Sequence, residues 1–226
     1  MLGGVTAAPA GASRDGVQTD MGGKRGSGNE VLREQLAQEA ARLIVDHGIH
    51  DYGQAKRKAA MRFGVRHAAA LPSNSEIESS VIERQRIFAP EIHEYRLAAM
   101  RGLAADIMEF VADFEPRLVG PVLAGTVTGN SPLEIHVFTD SPEAVLAVLE
   151  AQGIRSRDCQ RRYRFNGQPM SSVPGFRFTR EGERVYIIVF PEKGVRQAPL
   201  SPVDRRRPMQ RAGRRRVLAL LEGEMR

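Results

Sequence analysis

Residues 117–140 read RLVGPVLAGTVTGNSPLEIHVFTD, and this stretch decides the fold. It reads as an apolar strand over 118–124, a small-residue turn at Gly125-Thr126, a polar loop carrying Ser131, and a second strand over 133–139. Upstream of it apolar residues recur at helical spacing; downstream the period falls to two. On the second strand Glu134 and His136 alternate with Leu133, Ile135 and Val137, so the two polar side chains share one face. Gly125 allows close backbone approach at the rim of that face, and Thr126 adds a hydroxyl. The bland alternatives are a strand with a polar outer face and an ordinary turn, since alternation and Gly-Thr produce those too.

Working outward, residues 1–28 are rich in Gly, Ala, Ser and Asp, lack an apolar period and read as a disordered tail. From Asn29 to about His47, Leu32, Leu36, Ala40, Leu43 and Ile44 mark a helix. A second is expected over 52–63 with Asp51 as its cap. A third begins after Ser73 or Ser75, each followed three residues later by Glu in a capping-box pattern, and runs to about Phe88. The fourth covers 91–114 and ends before Pro116. Beyond the central stretch a helix over 142–152 is expected, then strands near 159–166, 174–180 and 184–190, the last two joined by Glu181-Gly182-Glu183. A final helix is expected near 210–222. The class is therefore α+β: a helical region at 29–115, a small mixed sheet with helices at 116–200, and an Arg-rich segment at 201–226.

Composition narrows the function classes. The chain has 226 residues, 42% hydrophobic and 27% charged, as a soluble globular protein does. No apolar run approaches the about 18–20 residues needed to span a bilayer, and the N-terminus does not read as a secretory signal. One cysteine, Cys159, excludes an internal disulfide and a four-cysteine zinc site. A cytoplasmic setting and no membrane partner are expected. The net charge of +6 divides into +11 from Arg155 onward and −5 before it. A basic C-terminal part of this kind attracts phosphates, nucleotides or RNA, although a solvated arginine-rich tail has the same composition.

The segment 119–138 resembles the signature of the polymerase-beta-like nucleotidyltransferase superfamily: an apolar residue, Gly followed by Gly, Ser or Thr, a spacer, and two acids one residue apart in a strand. Leu123-Ala124-Gly125-Thr126 matches the first part, and Glu134-Ile135-His136 stands where the acids stand. The stretch 51–211 also resembles a group of uncharacterised bacterial proteins sometimes labelled nucleotidyltransferase-like, through Asp51-Tyr52-Gly53-Gln54, Leu71-Pro72-Ser73-Asn74 and Arg196-Gln197-Ala198-Pro199. The resemblance implies a sheet of nucleotidyltransferase type. It implies a nucleoside triphosphate bound at Gly125, Thr126 and Ser131, a divalent metal (Mg2+ or Mn2+) on Glu134 and His136, and nucleotidyl transfer by that pair to an acceptor such as RNA held by the Arg-rich part.

The sequence departs from that pattern at two places. His136 replaces an acid, and imidazole suits manganese better than magnesium. The later strand, 185–190, carries no third carboxylate; Glu183 and Glu192 only flank it. The alternative expectation is accordingly a catalytically inactive nucleotide- or RNA-binding module of the same fold.

Overall fold

A computed structural model of the chain describes residues 23–49, 51–65, 70–88 and 90–224; of the tail expected to be disordered over 1–28, residues 1–22 lie outside them and 23–28 belong to a helix. The elements in order are α1 (Gly23–His47), α2 (Tyr52–Arg62), α3 (Asn74–Phe88), α4 (Pro90–Phe110), β1 (Arg117–Val119), α5 (Gly120–Ala124), β2 (Leu133–Phe138), α6 (Pro142–Ala151), β3 (Arg157–Arg164), β4 (Met170–Arg180), β5 (Glu183–Phe190) and α7 (Arg214–Glu224). The α+β class holds. Helix α1 starts at Gly23, six residues before the expected cap Asn29, because lengthening a formed helix costs little once it is nucleated.

Local chemistry sets the helix ends. The Asp51 side chain accepts from the Gln54 amide at 2.6 Å. The Ser73–Glu76 capping box is complete: the Ser73 amide donates to Glu76 Oε2 at 2.6 Å and the Glu76 amide to Ser73 Oγ at 3.1 Å. Helices α1–α3 enclose a core of their own, built largely from alanines 37, 40, 41, 55 and 59 with Leu36, Ile77 and Val81.

The five strands lie in the order β1-β2-β5-β4-β3. Strands β2 and β5 are parallel, and every other pairing is antiparallel. One sheet face, with Leu133, Ile135, Val137, Val185, Ile187, Phe176 and Phe178, packs against α4, α6 and α7 in the main core. The β4–β5 connection is a two-residue turn with Glu181 at φ 53° and Gly182 at φ 80°, the geometry that suits a right-twisted hairpin.

The expected strand over 118–124 is a correction. β1 ends at Val119, and Gly120-Pro121 begins α5 instead. Gly120 sits at φ 71°, and Pro121 has no N–H to give a ladder, so the strand stops and a helical turn starts.

Candidate functional site

β2 is buried along its whole length. Glu134, His136 and Phe138 point to the face away from α4. The parallel register places Tyr186 beside Glu134, Ile188 beside His136 and Phe190 beside Phe138.

The outer hairpin completes the site. β4 pairs with β5 only from Gly175 to Arg180, whereas its first half, from Met170, pairs with β3 alone. The separation falls at Pro174-Gly175. Proline cannot donate to a ladder, and a Cβ at Gly175 would stand 2.9 Å from Ile188 Cα and closer still to the Ile187 carbonyl oxygen. The free half of the hairpin curls over the His136 face and brings two side chains of β3 down onto β2. Tyr163 donates its hydroxyl to Glu134 Oε1 at 2.7 Å, and Arg161 Nη2 donates to Glu134 Oε2 at 2.6 Å. His136 Nε2 lies 3.2 Å from both Glu134 Oε1 and the Tyr163 hydroxyl.

Aromatic rings close the floor. The His136 ring lies 4.5 Å from Phe190 and meets Tyr163 edge-on at 5.3 Å. The guanidinium of Arg211, on the segment before α7, covers Phe138 and Phe190 at 4.9 and 5.0 Å and donates to the Gly194 carbonyl at 2.8 Å. Arg161 lies 4.5 Å over the ring of Tyr186.

The electrostatics follow from burial and these partners. Burial opposes the charge of Glu134, but the His136 hydrogen bond, the Arg161 charge and the Tyr163 hydroxyl outweigh it and hold the carboxyl at about 2. Burial pushes His136 below its ordinary value, against the pull of Glu134 and with help from Arg211 and Arg161. The pair is therefore a carboxylate and a neutral imidazole, and the network assigns the imidazole proton to Nε2, shared between Glu134 and Tyr163. Burial and the adjacent carboxylate both raise the Tyr163 hydroxyl. Burial lowers Arg211 to about 10.

Glu134 and His136 thus converge, as their shared face requires, but onto each other and onto Tyr163 and Arg161. A hard divalent cation wants carboxylate oxygens in a near-octahedral set. Here both Glu134 oxygens carry donors and a guanidinium occupies the metal side, so the donor set as it stands does not fit magnesium. Among the described residues no group of three or more His, Cys, Asp and Glu side chains is arranged to hold a metal. Glu183 is turned to Arg96, at 2.9 Å.

Gly125, Thr126 and Ser131 stand apart from this network. Gly125 closes α5 at φ 77°, and the amides of Gly125 and Thr126 both donate to the Pro121 carbonyl, the latter at 2.9 Å. His93 Nε2 lies 3.0 Å from the Gly125 carbonyl, and Arg101 caps Val122 and Leu123 at 3.1 and 3.2 Å. Ser131 Oγ accepts from the Thr128 amide at 2.8 Å. Gln85 donates to the Val127 carbonyl. A hollow of about 300 Å3 between α4 and the β4–β5 turn, lined by Ile92, Tyr95, Arg96 and Glu183, shares no residue with the Glu134 network.

Sequence reasoning missed Arg161, Tyr163 and Arg211. Alternation along β3 places Cys159, Arg161 and Tyr163 on one face, and Pro174-Gly175 inside a strand signals a bend; together they hold the information that β3 folds back. It also missed the exposed Arg157 and Arg177, which pair across β3 and β4 beside Tyr186. Compared with known protein families, curated proteins and solved structures, the chain matches none. Among the described residues no helix is long and apolar enough to cross a membrane.

Proposed function

We propose that the protein is a nucleotide- or RNA-binding module in which Glu134 and His136 are structural rather than catalytic. One observation carries this reading. The carboxylate that resembles a metal ligand is neutralised by Arg161 and bonded by Tyr163, while Arg157 and Arg177 stay exposed and without an ion-pair partner among the described residues. A face with its acid cancelled and its arginines free attracts phosphate. The exposed Arg205, Arg206, Arg215 and Arg216 add to the field that draws such a ligand in.

Nucleotidyl transfer through Glu134 and His136 is the second reading; it requires Arg161 and Tyr163 to leave the carboxylate. Equilibrium binding of labelled RNA and of ATP, each with EDTA, magnesium or manganese at several salt concentrations, separates the two. The module binds in EDTA, and its RNA affinity falls with salt at a logarithmic slope of about −2 to −3, as three or four phosphate contacts on a single strand give. Binding that needs the metal and disappears in a folded Glu134→Ala variant would overturn the module in favour of transfer.

A further inference from the structure

We propose that the ligand of this face is single-stranded nucleic acid, held by a base stacked on the Arg161–Tyr186 pair with its backbone crossing Arg177 and Arg157. The proposal rests on the module reading above and names the ligand class.

The register builds the surface. Glu134, Tyr186, Arg177 and Arg157 form one row across β2, β5, β4 and β3. Strands lie about 4.8 Å apart, so the row from Tyr186 to Arg157 spans about 10 Å. Two residues before Tyr186 on the same face of β5, the exposed Arg184 donates to the Asn130 carbonyl at 2.6 Å and marks the adjoining edge. Among the described strand residues on this face the only acid is Glu134, and Arg161 cancels it. The charge match to a phosphate backbone is therefore one-sided.

The stack supplies the second element. Arg161 is held at Nη2 by Glu134, stands with its guanidinium carbon 4.5 Å from the centre of the Tyr186 ring, and leaves its side chain 37% exposed. Its Nε is buried and makes no hydrogen bond. A guanidinium already held by an ion pair and an aromatic ring loses little freedom when a base settles on it. Stacking needs a base with an open face, which a single strand offers and a duplex interior does not.

The test uses the full chain with fluorescein-labelled twelve-nucleotide single-stranded RNA, DNA of the same sequence, the corresponding RNA duplex, and inorganic polyphosphate as competitor. Single strands of either sugar are expected to bind at least roughly tenfold tighter than the duplex or polyphosphate. Tyr186→Leu and Arg161→Lys, the latter keeping the charge beside Glu134, are expected to weaken single strands roughly tenfold or more and to leave polyphosphate binding unchanged. Equal affinity for duplex or polyphosphate, or Tyr186→Leu without effect on single strands, would overturn the stacking proposal and leave the module reading standing. No binding of any phosphate ligand by the native chain would overturn both. Should the stack variants fail to fold, the exposed double variant Arg157→Ser/Arg177→Ser decides: it is expected to reduce the single-strand salt slope by about 1.4, and an unchanged slope and affinity would sink the proposal.

Discussion

Glu134 and His136 illustrate how far a side-chain pattern reaches. Alternation put both on one face, and they are on one face. It gave no hint of what covers them, because that depends on where β4, about forty residues later, bends. The same two residues govern acid stability. In the unfolded chain His136 titrates near 6.5 and Glu134 near 4.5, while in the fold both lie lower. Below each unfolded value the unfolded state binds more protons, so stability is full at neutral pH and falls on acidification. The His136 contribution is lost from about 6.5 downward, and that of Glu134 from about 4.5 toward 2, with a slope approaching 1.4 kcal/mol per pH unit for each linked proton. Thermal melts from pH 7.5 to 4 check this: the midpoint is expected to fall on acidification, and the part between pH 6.5 and 5 is expected to shrink in His136→Phe.

At the scale of elements, most of the helices and the β4–β5 hairpin were legible because their signals are local: the Ser73–Glu76 box, Asp51, Pro116, and Glu181-Gly182. The strand over 118–124 was misread because its apolar run, Val119 to Ala124, satisfies helix and strand alike, and Gly120-Pro121 settles the matter. The bend of β4 is the element on which the site depends. Any side chain at Gly175 meets the backbone of Ile187 and Ile188. Gly175→Ala is expected to cost about 1–3 kcal/mol and to loosen the Tyr163–Glu134 contact. Denaturant titration reads the cost, and Tyr163 fluorescence or ultraviolet difference spectra read the contact; a variant as stable as the native chain would show that the hairpin bends without help from Gly175.

Across the whole molecule, α1–α3 and the sheet with α4 keep separate cores. Among the described residues polar bridges join them: Asn74 donates to the Pro202 carbonyl at 2.7 Å, and Gln85 donates to the Val127 carbonyl. The alanine-lined core of α1–α3 buries less apolar area per residue than the Leu, Ile, Val and Phe core under the sheet. Amide hydrogen exchange is therefore expected to be fastest in α1–α3 and slowest in β2 and β5, by about an order of magnitude in rate for each 1.4 kcal/mol of local stability. Uniform protection across both halves would mean that they unfold as one unit. The charge asymmetry was legible in the sequence at this scale, but its address was not. Arg211 and Arg214, which read as tail, are spent on Phe190 and on the Ala105 carbonyl, the latter at 2.9 Å. The exposed arginines on the proposed ligand face, Arg157 and Arg177, sit on strands.

The close of α5 at Gly125 has an electrical consequence. Peptide dipoles in a helical turn leave their negative end where the turn finishes, and here it finishes at the residues that resemble a phosphate cradle. Arg101 and His93 are drawn to those carbonyl oxygens for the same reason a phosphate would be turned away from them. The end of α5 therefore turns carbonyl oxygens outward that the chain's own Arg101 and His93 already meet, and its Gly125 and Thr126 amides are spent on the Pro121 carbonyl.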